Sequence, residues 1–176
     1  LRSEVLVERG VGQLTVHWSD IPQAKSYNIY KNDRMIQNVV SDTSYVDIVA
    51  PGVPTSYFVR SMDLYDLEGP ESNIVTEKAS FPPPDLSISV VAGGYTIEGS
   101  GRIINLSWPE VPGVTKYALY RDGELLTKQS ELQYEEKDLD WSTTYVYGIN
   151  SIDADDIEGV NFVDSVTTHP KVSTPV

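Results

Sequence analysis

Apolar and polar residues alternate with a period of two along most of this chain. Leu14, Val16 and Trp18 are separated by Thr15 and His17, and Ile104, Leu106 and Trp108 by Asn105 and Ser107. Side chains two apart share one face of a strand, so each run predicts a β-strand with one side in a core and one toward water. Tyr27 and Ile29 flank Asn28, and Tyr117 and Leu119 flank Ala118, predicting a further strand after each. More strands are expected at 44–47, 56–63 and 72–77, and again near 133–136, 144–153 and 162–168. No segment sustains the stripe of an amphipathic helix. Asn32-Asp33 and Asp122-Gly123 separate paired runs, and these residue types tolerate the positive φ of a two-residue hairpin.

The pattern occurs twice. An offset of 90 residues carries Trp18 onto Trp108, Tyr27-Asn-Ile-Tyr30 onto Tyr117-Ala-Leu-Tyr120, and Asp63-Leu-Tyr-Asp66-Leu-Glu-Gly69 onto Asp153-Ala-Asp-Asp156-Ile-Glu-Gly159. The 176 residues therefore hold two similar units, each long enough to bury its own core. The units are expected at 1–80 and 81–176, with a Pro-rich linker at about 80–85. Pro82, Pro83 and Pro84 fix φ and favour a stiff, extended joint. The expected shape is two elongated sandwiches stacked end to end. The chain does not begin with Met and is expected to be a piece of something longer.

Each unit resembles a fibronectin type III domain. The resemblance rests on the inward Trp18 and Trp108, the Pro-containing loops Ile21-Pro22 and Val111-Pro112-Gly113, and Tyr-x-Ile/Leu-Tyr followed by a basic residue and a hairpin. It also rests on Tyr45 and Tyr134 on the fifth strand and on an aromatic-rich sixth strand ending in Asp. It implies an all-β fold of two tandem immunoglobulin-like, seven-stranded antiparallel sandwiches. The form Tyr-Ala-Leu-Tyr-Arg-Asp-Gly-Glu-Leu-Leu is similar to the microbial branch of the family, which implies an extracellular or cell-surface setting. Tyr145 fits the corner tyrosine of this fold, whereas its counterpart is Thr55. Either the Pro51-Gly52-Val53-Pro54 turn replaces that corner, or Tyr57 fills it in a slipped register. Tyr95 and Ile97 lie in a long Gly-rich connection, a surface loop or an extra edge strand.

Charge narrows the partners. With 26 acidic and 13 basic residues the net charge is −13, which disfavours nucleic acid and anionic membranes. No apolar run approaches the roughly eighteen residues of a membrane span. Without cysteine there is no disulfide framework and no thiol nucleophile. No nucleophile elbow or phosphate-binding Gly loop occurs, and His17 and His169 match no metal-ligand pattern. No catalytic residue and no cofactor is expected.

Two groups of residues remain as site candidates. Asp153, Asp155, Asp156 and Glu158, like Asp63, Asp66 and Glu68, offer clustered oxygens of the kind Ca²⁺ takes. Their spacing is not that of a calcium loop, and a solvated hairpin turn ending in Gly is the expected reading. Trp141, Tyr95 and Tyr65 fall outside the core pattern and are candidate exposed aromatics for binding. Arg121-Asp122-Gly123 is not the Arg-Gly-Asp adhesive order, Asp140-Trp141-Ser142 matches only half of a cytokine-receptor motif, and Asn105-Leu-Ser107 fits a glycosylation acceptor that matters only in a glycosylating source, a chance match being the expected reading. The expected role is a non-catalytic spacer or presentation module in an extracellular or surface assembly, whose partners are other domains of the same chain or assembly. The alternative is an accessory module of a secreted microbial enzyme or adhesin, binding protein or polysaccharide.

Overall fold

The computed structural model describes residues 1–91 and 102–171. The chain forms two compact units, Leu1–Ser80 and Phe81–Val176. In the first, β1 (Val5–Gly10), β2 (Gln13–Trp18) and β5 (Ser44–Ile48) form one sheet in the order β1-β2-β5. Its partner holds β4 (Arg34–Val39), β3 (Ser26–Lys31) and β6 (Thr55–Met62), with β7 (Glu68–Glu71) and β8 (Val75–Glu77) both pairing with β6. The second unit repeats this with β9 (Ser87–Val90), β10 (Ile104–Ser107) and β13 (Gln133–Glu136) in one sheet. Its other sheet runs β12 (Glu124–Gln129), β11 (Lys116–Arg121), β14 (Thr144–Ile152), β15 (Phe162–Thr167). All these strand pairings are antiparallel.

The alternation places one residue in two inside each sandwich. Leu14, Val16 and Trp18 are buried with Tyr27, Ile29, Tyr57 and Val59 in the first core. Ile104, Leu106, Trp108, Tyr117, Leu119, Tyr147 and Ile149 form the second. In each core the indole meets a tyrosine ring: Trp18 lies 5.6 Å from Tyr27 and Trp108 5.8 Å from Tyr117, both tilted away from face-to-face stacking. The hairpins also form where Asn-Asp and Asp-Gly place them. Asn32 and Asp33 have φ of 47° and 63°, and Asp122 and Gly123 have 50° and 84°. Positive φ at both central positions matches the turn to the right-handed twist of the strands.

A buried clasp joins the two sheets of each unit. The Tyr57 hydroxyl donates to Asp47 at 2.5 Å, and Lys31 reaches the same carboxylate at 2.7 Å. In the second unit Tyr147 donates to Glu136 at 2.6 Å, and Arg121 pairs with that carboxylate. The acid comes from one sheet and the phenol and cation from the other. Burial, reinforced by the hydrogen bond to the acid, holds both phenols well above the ordinary tyrosine range.

Two departures from the expected strands have local causes. Tyr57 belongs to the clasp and not to a corner. The corner itself is made in the second unit, where the Tyr145 hydroxyl accepts the Asp140 N–H at 3.0 Å. In the first unit Thr55 instead closes the turn, donating from its hydroxyl to Val53 O at 3.2 Å. The strand expected at 72–77 is confined to β8 (Val75–Glu77), and a separate strand, β7, forms before it at Glu68–Glu71, overlapping the stretch read as a loop. Between them Ser72 bonds twice to Val59: its N–H donates to Val59 O, and its hydroxyl accepts the Val59 N–H, both at 3.0 Å. Asn73 then turns its amide onto β1, accepting the Val5 N–H at 2.7 Å and donating to Val5 O at 2.9 Å. Side chains replace the ladder there, so alternation breaks.

The stretch 80–85 is held at both ends. Ser80 bonds back to Gly10 O and Gly12 N–H in the first unit. Phe81 packs on the core of the second, the Pro82 carbonyl accepts the Ser151 hydroxyl at 2.6 Å, and Leu86 is buried.

Candidate functional site

The acidic loop between the sixth and seventh strands is built the same way twice. The Asp63 carboxylate accepts the N–H groups of Tyr65 and Leu67 at 2.8 and 2.9 Å, and Asp153 those of Asp155 and Ile157, both at 2.9 Å. Asp66 and Asp156 take positive φ and pair outward with Lys25 and Lys116 at 2.6 and 3.1 Å. A short side chain accepting its own loop's amides is what makes Asp suited to such a turn.

Glu68 and Glu158 turn the other way, onto the outer face of the larger sheet of each unit. The Tyr30 hydroxyl donates to Glu68 at 2.6 Å, as does the Asn28 amide. Glu158 accepts the Tyr120 hydroxyl, the Asn150 amide at 2.9 Å and Lys128 at 2.9 Å. The bonds from Tyr30 and Asn28 hold the Glu68 carboxyl below the usual carboxylate range. At Glu158 partial burial pushes upward, but the bonds from Tyr120, Lys128 and Asn150 together outweigh it and the net shift is down. The same bond to Glu158, with some burial, pushes the Tyr120 phenol up to about 12.

The calcium candidates are thus spread over three directions. Asp153 faces its own backbone, Asp156 faces Lys116, and Glu158 faces the sheet. Among the described residues no three acidic, histidine or cysteine side chains are grouped to hold a metal. In the sequence these glutamates stand out as carboxylates of an acidic loop. Their tyrosine partners lie at the same offset and were the available signal.

Of the aromatic candidates, Tyr65 belongs to the first unit and Trp141 to the second. Tyr65 is 84% exposed, between exposed Leu64 and Leu67. Trp141 is half-buried under the Arg102 guanidinium, 5.8 Å from its ring centroid. Tyr95 lies outside the described residues. An unanticipated feature is on the outer sheet face, where the units differ. In the first unit Phe58 stacks on Tyr30, centroids 4.5 Å apart and planes 6° from parallel. The cross-strand partner of Tyr120 is instead Gly148, and a groove of about 280 Å³ opens there, lined by Tyr120, Val146, Gly148, Asn150, Asn161 and Val163.

In both units the fourth strand pairs with the third, leaving three strands opposite five in the first unit and three opposite four in the second. Each unit has the fibronectin type III fold. No protein-family model matches the chain, and no curated protein matches it in sequence. Among solved structures it is similar to the central fibronectin-III array of RIM-binding protein, with TM-score 0.41 and 13% identity over 98% of this chain and 70% of that one. It is similar to the chicken CNTN1 FN1–FN3 domains at 0.44 and 16%, covering 96% and 67%. The fibronectin(III)-like modules of Clostridium thermocellum CbhA match at 0.42 and 12%, covering 94% of each chain. The fold assignment rests on strand order and not on these likenesses. No helix among the described residues is long and apolar enough to cross a membrane.

Proposed function

We propose that this tandem pair is a non-catalytic spacer that presents other domains within a larger extracellular or surface assembly. The supporting observation is that each unit closes on itself. Its core is complete, its sheets are clasped through Asp47 or Glu136, and its loop carboxylates are engaged by the unit's own amides, lysines and tyrosines. Ser80 is bonded within the first unit, and Phe81 packs on the core of the second. The net charge of −13 disfavours nucleic acid and anionic lipid as partners of such a spacer. A spacer must hold its ends apart, so small-angle scattering tests the reading. A single globule of this length has a radius of gyration near 16 Å by the usual scaling, about 2.2·N^0.38 Å. A clearly larger value is expected, and one near 16 Å overturns the proposal.

A protein-binding module is the second reading, favoured by the exposed Leu64, Tyr65 and Leu67 on a turn fixed by Asp63. Apolar side chains on a rigid tip suit partner binding. If the parent assembly's binding survives replacement of all three by Ser, this reading fails.

A further inference from the structure

We propose that the groove over Gly148, on the outer face of the second unit's four-stranded sheet, binds one ring of a neutral polysaccharide. The proposal goes beyond the spacer role and does not depend on it.

The argument starts from the two copies. At equivalent positions the first unit has Phe58 where the second has Gly148, and Glu71 where the second has Asn161. Phe58 covers the Tyr30 ring. No ring stacks on Tyr120 among the described residues, and the Gly148 backbone is approached closely by the exposed Asn161 amide. A Cβ on Gly148 would meet that amide at 2.7 Å. The Asn161 amide thus takes the place of a Gly148 side chain, and beside it lies a groove with an aromatic wall from Tyr120 and apolar edges from Val146 and Val163.

A second observation points to a ligand. Asn150 lines this groove, is 8% exposed, and its Oδ1 has no hydrogen-bond partner, although its amide N–H is used by Glu158. A buried carbonyl oxygen without a donor is costly, and a ligand hydroxyl relieves it. Tyr120 is fixed by its bond to Glu158, so its ring needs no ordering on binding.

The chemistry selects the occupant. A pyranose presents C–H groups on one face, which suit the Tyr120 ring, and hydroxyls around its rim, which suit Asn150 Oδ1 and the Asn161 amide. A purely apolar ring would leave the Asn150 oxygen unpaired. An anionic sugar would meet Glu158 and a protein of net charge −13. A peptide strand pairs with a sheet edge, and this groove lies on the face. Its volume, about 280 Å³, is at the small end of ligand sites, which suits one ring held weakly and many along a polymer.

The test is titration of the isotope-labelled 176-residue chain with cellohexaose, xylohexaose and mannohexaose, followed by NMR. At least one is expected to shift the Gly148 backbone, the Asn161 amide and the Tyr120 ring at millimolar ligand. Tyr120→Ala should weaken binding by about tenfold or more, whereas Tyr120→Phe should retain it. Gly148→Phe with Asn161→Glu copies the first unit and should abolish it. Asn161→Ala, which leaves the sheet untouched, should weaken it by about threefold or more. Melting curves identify any variant that fails to fold, and the remaining variants then decide. If none of the three oligosaccharides moves these resonances, or if the folded Gly148→Phe, Asn161→Glu protein still binds, the proposal is wrong. A failed titration leaves the scattering result on the spacer unaffected.

Discussion

Replacing Asn73 by Ala should melt the first unit early and leave the second where it is. The Asn73 amide closes two backbone groups of Val5 that β2 does not use, at 2.7 and 2.9 Å, and Val5 is only 5% exposed. Each such bond contributes about 1 kcal/mol net, so losing both costs about 2 kcal/mol, toward 3 if water does not reach the freed groups. For a unit of about 80 residues, 1 kcal/mol moves the melting temperature by about 4–8 °C, which gives a fall of roughly 8–16 °C. Calorimetry on the tandem chain reads both transitions, each assigned by melting its unit alone, and the second unit acts as the internal control. Asn73→Asp should lose about half as much, because it keeps the acceptor for the Val5 N–H and loses the donor to Val5 O. A shift under about 2 °C for Asn73→Ala would refute the reasoning, since it would mean that the amide replaces nothing water does not supply equally well. A matching shift in the second transition would refute it too, because the Val5 groups that Asn73 bonds belong to the first unit.

Trp18→Ala and Trp108→Ala should each destabilise their own unit by about 3–5 kcal/mol through lost burial and a residual cavity, measured by denaturant unfolding of the separate units. Tyr145→Phe should cost the second unit about 1 kcal/mol, the bond to Asp140 N–H, while Thr55→Val at the equivalent place in the first unit should cost less. Glu68 and Glu158 have folded values below their unfolded ones, so their contribution is present above the ordinary carboxylate range and fades as pH falls through the folded value; Glu68→Gln and Glu158→Gln should flatten that acid limb. Tyr120 is raised from 10.0 to about 12, so its contribution is present below pH 10 and is lost as pH rises through 12, which ultraviolet titration of the wild type against Tyr120→Phe resolves. Millimolar Ca²⁺ followed by chelator should leave both melting temperatures unchanged; a Ca²⁺-dependent rise abolished by Asp156→Ala would reinstate a metal role for that loop.

The strands and hairpins were legible because their causes are local. Alternation at Leu14, Val16 and Trp18 needs only a two-residue period, and Asp122-Gly123 carries its turn in its own backbone preferences. Tyr145 was legible through the fibronectin type III resemblance, which implies a corner tyrosine at that place, and the amide it caps lies five residues away. The interruption at Ser72 and Asn73 was not, because its cause is Val59 and Val5, one strand or one sheet away. The clasp of Tyr57 with Asp47 was hidden likewise: nothing in an Asp on a strand announces that a phenol from the opposite sheet will reach it. The pairing of Tyr30 with Glu68 and of Tyr120 with Glu158 was readable in principle, since both members repeat at one offset, yet the acids drew attention as ion ligands. The Phe58 and Gly148 difference is also visible in the sequence, but its meaning depends on which residues stand opposite Tyr30 and Tyr120 across the sheet.

The way Ser80 leaves the first unit determines how that unit bears load. Gly12 N–H donates to Ser80 O at 3.1 Å, Ser80 N–H donates to Gly10 O at 2.9 Å, and Arg9 bonds Lys78 O at 2.7 Å. Val11 and Ser80 meet as a parallel bridge, so the entering and leaving segments run side by side in the same direction. Tension applied between the two ends of this unit pulls those segments past each other. The bonds between them then share the force and break together, instead of opening one after another like a zipper. Resistance to pulling follows the rate of crossing that single barrier and not the equilibrium stability of the sandwich. A domain stapled in this way can be only moderately stable in a calorimeter and still hold its length under shear.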